Sequence, residues 1–284
     1  MSPELLDSFA ISQPLSKSQP EKKATSKVSF ELKFPLNPPT IPLGLTALDI
    51  NKNHGIRVKA YLDNLTRESV TVRLDGWGDT VLNGAMCNWL PFYTSDRELQ
   101  SGSASTLDVP TRTPSQATTA IEVTFPKGPF AAPPLVVVWL NMLDFDEKHN
   151  WRIKATASDI TCFGFVMHLD TWGDTILNAA AATWIAYPAN LPNIMSGSFK
   201  VTDVRPWHEP RLENKGSAQF RAALQTTPGI RGGLNMLDIA CKADLRIKVG
   251  WSNVDETGLE WNIDSWSDTI LYDAGASYIA LQLY

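Results

Sequence analysis

Little in this chain points to bond-making chemistry. Its 284 residues include four histidines and three cysteines, and none of H-E-x-x-H, C-x-x-C, G-x-S-x-G or G-x-x-x-x-G-K occurs. The sequence therefore offers no metalloprotease, thiol-redox, hydrolase-elbow or phosphate-cradle signature, and no catalytic residue, metal or cofactor is expected. Basic charge is also short: 25 Lys and Arg against 30 Asp and Glu give a net charge of −5. That leaves no electrostatic footprint for nucleic acid. The longest apolar run, around Leu135 to Leu140, is far too short to cross a bilayer, so no membrane span is expected. The start, MSPELLDSFAISQPLSKSQPEKK, lacks a basic segment followed by an apolar one. The expectation is a protein that is cytoplasmic, or released without a classical signal peptide. Cys87, Cys162 and Cys241 are not spaced as a recurring framework, which favours free buried thiols in a reducing compartment.

What the chain does have is a block that occurs three times: RVKAYLDNLTRESVTVRLDGWGDTVLNGAMCNWL from Arg57, RIKATASDITCFGFVMHLDTWGDTILNAAAATWI from Arg152, and RIKVGWSNVDETGLEWNIDSWSDTILYDAGASYI from Arg246. The turn tryptophans Trp77, Trp172 and Trp266 are 95 and 94 residues apart. Solenoid repeats run about 20–50 residues, so this period is that of a small domain able to bury a core. The boundaries predicted are 1–94, 95–190 and 191–284. No stretch keeps a convincing helical period. Alternation such as Arg152-Ile-Lys-Ala-Thr-Ala, with Pro, Gly and Asp punctuation, predicts short strands and an all-β sandwich. Val136-Val-Val-Trp-Leu-Asn-Met-Leu reads as a strand buried on both faces.

The three copies keep Asp49/Asp144/Asp238, Arg57/Arg152/Arg246, Asp75/Asp170/Asp264, the turn Trp, Asp79/Asp174/Asp268, and an aromatic at Trp89/Trp184/Tyr278. The late aromatic reads as core, and the aspartates flanking the Trp read as caps of turn amides. An Arg is rarely buried without a partner. Either each arginine pairs with the acid of its own copy (Asp49, Asp144 or Asp238), or it offers its fork of donors to ligand hydroxyls. The turn tryptophans either plug domains together or present an aromatic edge to a sugar. His54 and His149 recur three residues before the Arg and read as solvated loop residues. Asn64-Leu-Thr66 matches a glycosylation sequon, but Asp159-Ile-Thr161 stands in the same place, which favours a turn role.

The ordered pattern Ser-Gly, Phe-Pro, Pro-Pro-x-Val-x-Val, Leu-Asp, Arg-Ile-x-Ala, Gly-Phe, Thr-Trp-Gly-Asp-Thr and Ser/Thr-Trp-Ile-Ala resembles the H-type lectin domain, the kind found in snail agglutinin and in the C-terminal part of discoidins. It covers Ser101 to Tyr187 best, then the chain from Ser196, then copy one from about Val28. The resemblance implies a six-stranded antiparallel β-sandwich that assembles as a trimer. It also implies galactose or N-acetylgalactosamine bound in clefts that take an Arg and a loop acid from one subunit and the Trp turn from the next. Carried over, the sugar-binding positions are Arg57, Trp77, Gly78 and Asn83; Arg152, Trp172, Gly173 and Asn178; and Arg246, Trp266, Ser267 and Tyr272. The histidine after the Trp in snail agglutinin is Gly78, Gly173 or Ser267 here. The tyrosine six beyond the Trp survives only as Tyr272. For the loop acid only Glu213 is a candidate.

Three copies on short linkers, set beside a family trimer, imply an intrachain pseudo-trimer with the buried strands lining its axis. The function expected is a multivalent, non-enzymatic lectin whose partners are glycans or glycoconjugates, with further self-association possible. The alternative is a structural or protein-interaction module whose sugar sites have decayed. A glycosidase built on the Asp75/Asp79-type pairs is disfavoured by their regular place in a turn.

Overall fold

The computed structural model describes residues 9–11, 23–29, 34 and 36–282. Among them eighteen strands fall six to a copy. Copy one contributes β1 (Phe9–Ile11), β2 (Lys23–Ser29), β3 (Leu43–Ile50), β4 (Ile56–Asp63), β5 (Ser69–Asp75) and β6 (Leu82–Trp89). Copy two contributes β7 (Gln100–Ser105), β8 (Ala120–Thr124), β9 (Leu135–Phe145), β10 (Trp151–Ser158), β11 (Gly164–Asp170) and β12 (Leu177–Tyr187). Copy three contributes β13 (Ile194–Lys200), β14 (Lys215–Gln219), β15 (Gly229–Ile239), β16 (Leu245–Ser252), β17 (Gly258–Asp264) and β18 (Leu271–Leu281).

The alternation in the sequence becomes alternation of burial. Along β4 and β10 the pattern is the same, with Ile56, Val58 and Ala60, or Trp151, Ile153 and Ala155, turned inward. Arg57 with Lys59, and Arg152 with Lys154, are left on the opposite face, because successive side chains of a strand point to opposite sides. Each copy is a sandwich of two three-stranded halves: in copy two β7, β12 and β9 face β10, β11 and β8. The late aromatics lie between the halves, as expected. Trp184 stands 5.5 Å from Phe165, and Trp89, Trp184 and Tyr278 are all buried.

The halves do not stop at the edge of a copy. All pairings are antiparallel, and the three six-stranded sheets run β2-β5-β4-β9-β12-β7, β13-β18-β15-β10-β11-β8 and β1-β6-β3-β16-β17-β14. Every sheet is thus half one copy and half another, joined at the seams β4–β9, β10–β15 and β16–β3. The sharing passes from copy one to two, two to three, and three back to one, so the ring closes within one chain. This is the packed pseudo-trimer implied by the resemblance. Backbone hydrogen bonds therefore cross every seam, and separating two copies would leave those donors and acceptors unpaired.

The innermost strands β3, β9 and β15 meet at the axis with unequal residues. Gly44, Trp139 and Gly233 each stand five places before the strand-ending Asp, so they are equivalent. Trp139 is fully buried, and its Nε1 donates to the carbonyl of Ser277 at 3.0 Å. A Cβ on Gly44 would lie 2.8 Å from Trp139 Cβ and 3.1 Å from Gly233 Cα. One indole fills the space that two glycines vacate. Ile185, Tyr187 and Ile279 close an apolar layer around it.

Asn64, Asp159 and Asn253 have φ of 50°, 50° and 46°, a left-handed turn that short polar side chains tolerate best after glycine; the sequon position is a turn position. The free thiols are only partly buried as a set: Cys87 is buried, whereas Cys162 and Cys241 are half-buried, because the latter two sit in loops. Burial pushes the Cys87 thiol up to about 12. No helix among the described residues is long and apolar enough to cross a membrane.

Candidate binding clefts between the copies

Each seam brings an arginine of one copy opposite an acid of the next. The register pairs Arg57 with Asp144, Arg152 with Asp238, and Arg246 with Asp49. Nε of each arginine meets an Oδ1 of that acid at 3.4, 3.2 and 3.6 Å respectively. The partner acids belong to the neighbouring copy, not to the same copy, because strand sharing places them directly across the seam. This corrects the same-copy pairing drawn from sequence.

The other end of each guanidinium goes to its own copy. Nη1 of Arg57 hydrogen-bonds Asp79, Nη1 of Arg152 hydrogen-bonds Asp174, and Nη1 of Arg246 donates to Asp268 at 2.7 Å. The arginine therefore sits beside the Trp turn of its own copy, which corrects the expectation that the turn comes from the next subunit. These hydrogen bonds hold the carboxyls of Asp79, Asp174 and Asp268 below the usual range. The aspartates after the Trp are thus arginine partners as well as turn residues. Those before it do something else: Asp170 accepts from Thr119 N and Asp264 from Asn214 N, both at 3.0 Å, tying down the opening loops, while Asp75 accepts from the Tyr61 hydroxyl at 2.7 Å.

The turn itself is tight. Thr80 N donates to the Trp77 carbonyl at 3.2 Å, and Gly78 and Gly173 take φ of +63° and +66°. A Cβ on Gly78 or Gly173 would stand 3.0 or 2.8 Å from Nη1 of its arginine. Glycine thus lets the guanidinium slide under the turn. In the third copy Ser267 holds the same conformation at φ +60° with a Cβ present. There Nη2 of the arginine bonds Asp244, a position filled by Gly55 and Asn150 in the other copies. Nη2 of Arg57 and of Arg152 has no carboxylate partner among the described residues.

The third component comes from β-bulges. Ladder pairing skips Asn83, Asn178 and Tyr272: Asp49 faces Gly84 while Ile50 faces Leu82, and the other copies follow suit. A bulge re-aims its extra residue. Nδ2 of Asn83 reaches Asp49 at 3.1 Å and Nδ2 of Asn178 reaches Asp144 at 3.0 Å. These residues therefore belong to the acid's side of each seam. The first cleft holds Arg57, Trp77, Gly78 and Asp79 against Asp144 and Asn178. The second holds Arg152, Trp172, Gly173 and Asp174 against Asp238 and Tyr272. The third holds Arg246, Trp266, Ser267 and Asp268 against Asp49 and Asn83. All twelve positions marked in the sequence fall on these seams, with each Asn or Tyr moved one cleft from its Trp.

The clefts differ. Trp77 packs on Met142, Ala179 and Ala181 of copy two, so it does plug a seam, whereas Trp266 is 37% exposed. His54 edges the first cleft, with Nδ1 3.6 Å from Asp79. His149 turns instead to Asp146 at 2.8 Å. In the second cleft burial raises the Asp238 carboxyl above its ordinary value, opposed by Arg152 and by the Trp172 side chain. Glu213 stands off the seams, exposed and 3.5 Å from Lys215 Nζ; the structure brings it to no arginine. No cluster of metal-ligating side chains occurs among the described residues.

Sequence reasoning passed over Asp244 and the loop residue Trp207. The latter is 60% exposed, with its ring 6.2 Å from that of Tyr272. The signal available was a Pro-Trp-His run inside an otherwise polar loop.

A family model described as the H-type lectin domain matches residues 25–92, 120–187 and 217–281. A curated relative, "ATP synthase subunits region ORF 7" of Fuscovulum blasticum, is 44% identical over 66 residues, 23% of this chain. The chain spans 56% of that relative's length. Two solved structures of discoidin II from Dictyostelium discoideum, the native recombinant and the wild-type protein, show 15% and 14% identity. They cover 64% and 63% of this chain and 81% and 79% of their own, with TM-scores of 0.28 and 0.27.

Proposed function

Because the chain belongs to the H-type lectin domain family, we propose that it is a multivalent, non-enzymatic lectin that holds saccharides in the three clefts between its copies, with galactose or N-acetylgalactosamine ends the preferred ligands. The observation that carries this reading is the threefold Arg–carboxylate pair across a seam, flanked each time by a Trp turn. A sugar needs vicinal hydroxyls met by charged donors and acceptors and an apolar face met by an aromatic. Asp79 and Asp174 expose more than half of their side chains while fixed by an arginine. They are thus held as acceptors without having to be ordered on binding. Nη2 of Arg57 and Arg152 adds a donor in two of the clefts.

Three clefts in one chain supply multivalency. Linked weak sites raise avidity by about 10²–10⁴ on a repeating glycan. A glycan array, paired with erythrocyte agglutination, tests the reading. Binding to galactose- or N-acetylgalactosamine-terminated structures is expected, and it should fall in Arg57→Gln and Arg152→Gln. One observation favours the runner-up, an interaction module with decayed sites. Three grooves on the described surface, of 390, 610 and 420 Å³, are lined by strands such as β14–β17 and β7–β8, and no arginine lines them. An array blank for every glycan would support that alternative.

A further inference from the structure

The loop that opens copy three carries an exposed tryptophan on a rigid mount. Arg205 is 4% exposed and spends its guanidinium on the loop: Nε donates to Asn214 Oδ1 at 2.6 Å, Nη2 to the Leu271 carbonyl at 2.7 Å, and Nη1 to the carbonyls of Pro206 and Tyr272 at 3.0 and 3.1 Å. Arg112 makes the corresponding bolt in copy two, from Thr119 to the carbonyls of Leu177 and Asn178. Between bolt and exit, copy two runs from Arg112 to Thr119, whereas copy three runs from Arg205 to Asn214 and is two residues longer. The longer segment contains Trp207 and His208, whose rings are 5.6 Å apart.

Trp207 leans edge-on against Tyr272, the bulge residue of the second cleft. At the same bulge Asn178 reaches Asp144, so position 272 borders the Asp238–Arg152 pair. A tryptophan left 60% exposed is an apolar surface in water. The four hydrogen bonds of the buried Arg205, one of them to the adjacent Pro206 carbonyl, anchor the backbone that carries this ring. The first cleft has no aromatic in its loop, which continues Thr113-Pro114-Ser115 from Arg112.

Resting on the lectin reading above, we propose that Trp207 is the stacking surface of the cleft between copies two and three, and that it takes the apolar C–H face of a pyranose next to the one held by Arg152 and Asp174. The second cleft is then a site for at least a disaccharide, and it is the discriminating site of the three. Tyr272 supports the indole from behind and offers its hydroxyl to the same ligand. The chemistry matches: an indole face meets C–H groups, and the charged groups on the seam meet hydroxyls.

The test compares N-acetylgalactosamine with a galactose-terminated disaccharide, lactose, by calorimetry on the full chain. Trp207→Ala should weaken lactose at the second cleft about three- to tenfold, in the range of an aromatic contact, and leave the monosaccharide within twofold. Trp207→Phe should restore most of the loss. Thermal melting should stay at the wild-type value, since the ring is exposed. Loss of one lactose site in Arg152→Gln, with every site unchanged in Trp207→Ala, would overturn the stacking role and leave the lectin reading standing. Absence of binding of both sugars to the wild-type chain would overturn the lectin reading, and the stacking role with it.

Discussion

At the scale of single residues, the arginines set the electrostatics of the seams. Each is at least three-quarters buried, at 22%, 15% and 16% exposure, and each is held by carboxylates from two copies. Removing one of them leaves a part-buried acid without its cation, which costs about 1–3 kcal/mol. Loss of binding in an arginine variant therefore has to be read beside its melting temperature. The turn aspartates give a pH signature. Their folded pKa values lie below the unfolded ones, so their contribution is complete above the ordinary carboxylate pKa, about 3.9. It is lost as pH falls through the lowered folded values. Asp238 has the opposite sign: raised by burial, it favours the fold in acid and loses that contribution as pH rises through its folded value. In melting followed from pH 2 to 6, Asp79→Asn/Asp174→Asn/Asp268→Asn should lose the steepest acid-side part of the wild-type fall. An unchanged slope would show that the turn aspartates are not the groups responsible. Much of this set was legible in the sequence, because residues that serve the same seam recur three times. Which acid meets which arginine was not, since that depends on strand exchange between copies, which leaves no local mark.

At the scale of elements, the turns carry the strain. Ser267 occupies a left-handed conformation that costs a non-glycine residue roughly 1 kcal/mol, at the place where two copies have glycine. Ser267→Gly should therefore raise stability by about 0.5–1 kcal/mol, read by urea denaturation. The reverse change, Gly173→Ala, sets a Cβ 2.8 Å from Arg152 Nη1 and should destabilise while loosening that seam. Strand positions followed from alternation, and the buried run at Val136 from its β-branched residues. The bulges at Asn83, Asn178 and Tyr272 did not show in the sequence, because one extra residue in a strand looks like any other. Yet they decide which cleft each side chain serves. Trp207 was missed for a related reason: it lies in the loop whose length varies between copies, and comparison of copies highlights what they share.

At the scale of the whole molecule, the shared sheets and the mixed axis make the three copies one cooperative unit. Cutting the chain at a repeat boundary would split two of the three sheets at their seams. It would expose long unpaired edges such as β9 and β15, which invite aggregation. The axis adds a rule of order. Three copies of the second repeat would bring three indoles to a space that holds one. Three copies of the third would leave glycines around a void. Only the mixed set Gly44, Trp139 and Gly233 fills the centre, so the single chain specifies an assembly that any one of its repeats would build poorly. Trp139→Gly should remove about 3–5 kcal/mol, as large-to-small changes at buried aromatics do, and Gly233→Ala should destabilise through overpacking of about 1–3 kcal/mol. The wild-type chain should unfold in one calorimetric transition, while the fragment 95–190 alone should fail to give a folded monomer by size-exclusion chromatography and circular dichroism. Three separate transitions, or a well-folded single copy, would mean that the shared sheets contribute little and that each repeat keeps the autonomy of an independent domain.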